Sequence, residues 1–158
     1  MVELDVKLTS ADLYDYNLKH SITSPSGLLG EVLGAAGIIY GLATAYYILA
    51  IVGAVLLLYL PVTLWVKTKQ TFLLNPVFKE PLHYRLDEEG LTVSQKDVTT
   101  SLPWEQIVKV VSTNRSILLY TGPGNATVFP KNQMKDKTPL VIQEISMHID
   151  PAKNKIKA

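Results

Sequence analysis

Cysteine is missing from all 158 residues, so no disulfide can staple this chain and no thiolate can hold a metal. Histidine is scarce: His20, His83 and His148 are far apart, with no second imidazole at i, i+4 and no pair of carboxylates beside them, which argues against a metal or acid–base centre. Excess charge is absent too. Fifteen Lys and Arg face fourteen Asp and Glu for a net charge of +1, which leaves no electrostatic basis for nucleic-acid binding. The longest absence is internal: Leu28 to Val66, thirty-nine residues, contains Glu31 as its single charged side chain.

That run is what the chain has in place of charge, and it accounts for a mean hydropathy of +0.18. As one straight helix it would measure roughly 58 Å, nearly twice the ~30 Å thickness of a bilayer's hydrocarbon. Folding it back on itself buries both halves in lipid with every backbone group satisfied internally, so a two-helix transmembrane hairpin is expected over residues 24–69. Its start is too far from the N-terminus, and its length too great, for a signal-peptide core of 7–15 residues, so the segment is expected to stay in the mature protein. Ser24 and Pro25 read as N-cap and first helical residue. The turn is expected near Ala43 to Tyr47, and the second pass from Tyr47 to Val66, with Pro61 kinking or ending it early. Gly30, Gly34, Gly37 and Gly41 recur at spacings of four, three and four, which puts them on one helical face where backbones pack closely. Lys19 before the first pass and Lys67 and Lys69 after the second, with no cation in the turn, place both termini in the cytoplasm.

The flanks read as α+β. In residues 1–23, Val2, Leu4, Val6 and Leu8 alternate as a half-buried strand, and a short helix follows, capped at Thr9 or Ser10 with Asp12 in capping-box spacing. Residues 70–150 carry short strands around Leu82–Leu86, Leu91–Val93, Val98–Leu102, Ile107–Thr113, Ser116–Tyr120 and Ala126–Phe129. Asp87-Glu88-Glu89-Gly90 and Gln95-Lys96-Asp97 turn between them. Thr138 as N-cap and Pro139 then open an amphipathic helix to about His148. The outcome is one small antiparallel β module closed by a C-terminal helix, and residues 151–158, with Lys153, Lys155 and Lys157, are expected to be a disordered basic tail.

The segments SADLYDY (10–16), RLDEEGLTVS (85–94), SLPWEQIVKVV (101–111), SILLY (116–120) and VFPKNQM (128–134) together resemble the YcxB-like proteins of bacteria. Gly90, Trp104 with Ile107, Tyr120 and Phe129-Pro130-Lys131 are the most specific matches. The resemblance implies a pleckstrin-homology-like fold for the C-terminal region and carries no catalytic residues.

Candidate site residues are few. Asp87, Glu88 and Glu89 are adjacent in a tight turn and point apart, as solvated turn formers do. Glu31 in the first pass is costly at the bilayer centre, on the order of 2.5–3.5 kcal/mol, and less so near the interface. It either snorkels to the headgroups or pairs with Lys67 or Lys69, or it contacts a partner helix or a bound peptide. Lys131, Lys135 and Lys137 cluster after the last strand, where a solvated loop is the first reading and a membrane-surface or partner contact the second. No catalytic set, cofactor site or small-molecule pocket is evident. The expectation is a non-enzymatic, multi-pass protein of the cell membrane whose cytoplasmic module binds a protein partner or lipid headgroups, with another membrane protein or a second copy as further partner. The alternative is an immunity protein against a membrane-active peptide.

Overall fold

The computed structural model describes residues 1–156. The chain divides into two compact units: Asn17–Thr71, and a second made of Met1–Tyr16 with the residues from Phe72 onward.

The first unit is helical. Helix α1 (Ser10–Ile22) begins outside it and ends within it, α2 spans Pro25–Ala43 and α3 spans Tyr47–Leu74. Ser24 caps α2 as its spacing to Pro25 implies, its hydroxyl accepting from the Gly27 amide at 3.1 Å, and the reversal at Thr44–Tyr46 falls inside the expected segment. Both α2 and α3 are long and apolar enough to cross a membrane, and most of their side chains are exposed. Helix α3 corrects one expectation: it continues through Pro61 and past Val66 to Leu74. Proline removes a single donor, and helices tolerate that loss where neighbouring groups re-satisfy the backbone. The Thr63 hydroxyl, two residues on, donates to the carbonyl of Tyr59 at 2.7 Å, a back-bond of the kind Thr makes within helices. Near the open end of the hairpin the Asn17 amide donates to the Thr68 hydroxyl at 2.8 Å, with Thr68 buried.

The second unit holds two four-stranded sheets around one core. Sheet one is β1 (Val2–Val6), β2 (Leu82–Leu86), β3 (Gly90–Gln95) and β4 (Val98–Pro103), all antiparallel in that order. The alternation read in the sequence sets its inner face: Val2 lies opposite Leu86, Leu4 opposite Tyr84 and Val6 opposite Leu82, all buried. Strands β1 and β2 are thus neighbours although the whole helical unit lies between them in sequence. Sheet two has the order β7 (Ala126–Pro130), β6 (Ser116–Tyr120), β5 (Lys109–Ser112), β8 (Asn154–Lys155). The Tyr84 and Phe129 rings, 4.8 Å apart, join the sheets. After the short α4 (Lys131–Met134), α5 (Thr138–His148) buries Val141 and Ile145 in the same core. Thr138 is the first residue of α5, not its cap, and no side chain caps that end.

The C-terminal tail differs from expectation as well. Residues 154–155 pair parallel with β5, opposite Val110 and Val111, and the Val110 amide donates to the Lys153 carbonyl at 2.9 Å. An open strand edge supplied by tertiary structure orders a segment whose own sequence has no strand pattern. Lys157 lies outside the described residues.

Gly90 adopts φ 155, and a Cβ there would run into the Leu102 carbonyl across the sheet, so the β2–β3 turn needs glycine. Asp87 closes it, its carboxylate accepting from the Glu89 and Gly90 amides at 3.1 and 3.3 Å.

Candidate binding surfaces

Within the β unit, a groove of about 420 Å³ opens between the sheets. The start of α1 supplies Leu13 and Tyr16, the segment before β2 supplies Val77 and Phe78, sheet one supplies Leu82, Tyr84 and Val93, and residues 124–128 form the opposite rim. Its lining is largely apolar. The Tyr16 hydroxyl donates to the Gly124 carbonyl at 2.5 Å and so fixes the rim loop. Phe78 is held by stacking on Phe72, with centroids 5.9 Å apart. Burial raises the phenol pKa of Tyr84 and of Tyr16. Tyr120, 6.1 Å from Tyr16 between ring centroids, is pushed up to about 12, by burial first and then by Tyr16 and Asp15. These walls come from segments far apart in sequence, which is why no local pattern marks them.

A second cluster is polar. Thr9 and Asp12 form the expected capping box, the Thr9 amide donating to Asp12 Oδ2 at 3.0 Å and the Asp12 amide to Thr9 Oγ1 at 3.3 Å. Asp12 is fully buried, and the Arg115 guanidinium lies 3.7 Å from its Oδ1. The Thr113 hydroxyl donates to Asp15 at 2.6 Å. This set ties α1 to the β5–β6 turn.

The residues singled out in the sequence scatter. Gly34, Gly37 and Gly41 face α3: a Cβ on Gly41 would come within 2.5 Å of the Ala50 amide nitrogen, and one on Gly37 within 3.4 Å of Gly53. Gly30 does not join them, since a Cβ there meets nothing within 4 Å. Glu31 makes no ion pair among the described residues, with Lys67, Lys69 or any other cation. The Lys69 ammonium instead sits 3.9 Å above the Trp65 ring. Of the three clustered lysines one turns inward and one bonds along the surface. Lys131 donates to the Ser112 hydroxyl and the Thr113 carbonyl at 2.8 and 2.5 Å, and Lys137 donates to the Glu3 carbonyl at 2.6 Å. Lys135 is exposed.

Two of the histidines do have carboxylate neighbours. His83 lies 2.8 Å from Asp5 across the β1–β2 pair, and His148 lies 3.8 Å from Glu144 one helical turn earlier. His148 also stacks on Trp104 at 5.1 Å. Among the described residues no three His, Cys, Asp or Glu side chains converge as a metal site would require.

Residues 86–144 match the family model described as YcxB-like protein. The match runs from the end of β2 into α5, so the resemblance read from the motifs holds over that stretch, and β1, the helical unit and β8 lie outside it. No curated protein and no solved structure matches the chain.

Proposed function

We propose that this protein is a membrane-tethered binding module. Helices α2 and α3 cross the bilayer as an antiparallel pair, and a pleckstrin-homology-like β unit on the cytoplasmic side offers the groove beside Tyr84 to a protein partner. The pairing of β1 with β2 carries the reading. Strands from before and after the hairpin share one sheet, and a single crossing would put them on opposite sides of the membrane. Only a return crossing lets lipid cover α2 and α3 while the sheet stays whole.

Lengths and chemistry support it. The 19 residues of α2 give about 28 Å, close to the hydrocarbon thickness, and α3 outruns it by its last turns, where Lys67 and Lys69 follow Trp65 in the order of a membrane exit. Ile39, Ile48 and Leu58 are each more than 60 % exposed, and moving such side chains out of water gains roughly 1.5–3 kcal/mol apiece. A protein partner is favoured over anionic headgroups because the groove lining is largely apolar and carries no cation, and Lys131 of the nearby lysine cluster is turned to the Thr113 carbonyl.

The natural lack of cysteine makes the test direct. In intact cells a membrane-impermeant maleimide should label Thr44→Cys in the turn, and should reach Asn132→Cys only after permeabilisation. Labelling of both positions from outside would end the topology. A photoreactive residue at Asn125 on the groove rim should trap a discrete protein. Capture of lipid alone would refute the protein-partner reading.

A further inference from the structure

Every sheet edge has to be paired, covered or made unattractive, because its free amides and carbonyls are a template for another strand. The edge at β1 is covered by side chains: the Lys7 amide donates to the Gln133 side-chain carbonyl at 2.8 Å, the Gln133 amide returns to the Lys7 carbonyl at 2.7 Å, and Lys137 reaches the Glu3 carbonyl. The other edge of the same sheet, β4, has no such cover. Its residues Val98-Thr99-Thr100-Ser101-Leu102 are uncharged, its first four residues are exposed, and Val98 is 69 % exposed.

The register identifies the groups it offers. Gln95 and Val98 flank a two-residue turn in which Lys96 takes φ 51, so that pair exchanges hydrogen bonds, as do Val93 with Thr100 and Leu91 with Leu102 in alternation. Ser94–Thr99 and Thr92–Ser101 are the close, non-bonded pairs, in agreement with their hydroxyl contacts of 3.1 and 3.3 Å. The amides and carbonyls of Thr99 and Ser101 therefore point away from β3, and nothing among the described residues takes them up.

We infer that β4 is a self-association edge that pairs antiparallel with β4 of a second copy about a two-fold axis at Thr100. The strand is self-complementary about that residue. Thr99 faces Ser101 of the second copy, giving four backbone hydrogen bonds, and exposed Val98 faces the half-buried Leu102 of the second copy, extending the inner apolar row of the sheet. A charged or irregular peptide would match neither of these features. This inference does not depend on the membrane crossing and fails separately from it.

At such an axis the two Thr100 Cα atoms form a non-hydrogen-bonded pair about 4.5 Å apart, within disulfide range. In the full-length, detergent-solubilised chain, Thr100→Cys should oxidise to a covalent dimer, while the exposed control Asn132→Cys should not. The unmodified protein should have the mass of a dimer by light scattering, and Thr100→Lys, which sets two ammonium groups against each other on the axis, should lose it with an unchanged circular dichroism spectrum. A monomeric unmodified protein, equal cross-linking at residues 100 and 132, or a Thr100→Lys variant that stays dimeric would each overturn the inference.

Discussion

The indole of Trp104 donates to the backbone carbonyl of Asp87 at 2.8 Å and presents its ring face to His148. One side chain thereby links the segment after β4, the β2–β3 turn and the C-terminal helix. Trp104→Phe keeps most of the ring contact and loses the hydrogen bond, which should cost about 1–3 kcal/mol for a half-buried carbonyl left without its donor. Trp104→Ala also empties the site and should cost about 3–5 kcal/mol. Urea unfolding of the solubilised chain, followed by circular dichroism, should place the two variants in that order. Equal midpoints would mean that the hydrogen bond contributes nothing.

The glycines along the α2–α3 contact separate into positions that differ in a testable way. An Ala at Gly41 would press on the Ala50 backbone at 2.5 Å, and one at Gly53 on the Gly34 carbonyl at 2.6 Å. Backbone cannot swing aside, so both substitutions should force the helices apart and destabilise the pair by about 1–3 kcal/mol. At Gly34 the nearest atoms belong to the Leu57 side chain at 2.7 Å, which can rotate, and the Gly53 carbonyl stands farther off at 3.1 Å, so Gly34→Ala should lose less than the other two but more than nothing. Gly30→Ala, with open space, should lose nothing. Thermal melts in one detergent would show whether the four fall in this sequence.

Much of this arrangement is legible from residue order, and what is not has a physical reason. Val2, Leu4 and Val6 mark β1 because a strand buried on one face must alternate, and Ser24-Pro25 marks the start of α2 because both residues suit an unpaired helix end. The tail strand at Asn154–Lys155 has no pattern of its own, since the free edge of β5 orders it. A lysine in a sequence shows a charge without showing where the ammonium points, and so Lys131, which reads as a surface cation, donates inward to the Ser112 hydroxyl and the Thr113 carbonyl. The groove is hidden for the same reason. Tyr16, Phe78, Tyr84 and Val93 share no spacing, and only the fold brings them together.

Gly90 allows the turn argument to be checked apart from packing. Its φ of 155 lies where an L side chain is strained by about 1–3 kcal/mol, and the added Cβ would also collide with the Leu102 carbonyl. Gly90→Ala should therefore destabilise the β unit by at least about 2 kcal/mol. Glu89→Ala, one residue earlier at an exposed position, should be neutral. If chemical denaturation finds the two variants alike, the turn tolerates a side chain and the backbone constraint is weaker than stated.

The buried phenols predict a specific alkaline limit. Burial raises Tyr16 and Tyr84 above the usual phenol value, and burial with Tyr16 and Asp15 nearby takes Tyr120 up to about 12, whereas in the unfolded chain each ionises near 10. A raised folded-state pKa means the folded chain holds its protons more tightly than the unfolded one. The associated stability is complete below pH ~10 and is lost as pH climbs from there through the folded-state values. Stability should be level with respect to these groups at neutral pH and fall above pH ~10. Tyr84→Phe, which removes an ionisable group from the groove wall, should make that fall shallower. Tyrosinate absorbance recorded beside circular dichroism decides the matter: ionisation of Tyr84 and Tyr120 should coincide with loss of the β signal, and their free titration near 10 in a still-folded chain would refute it.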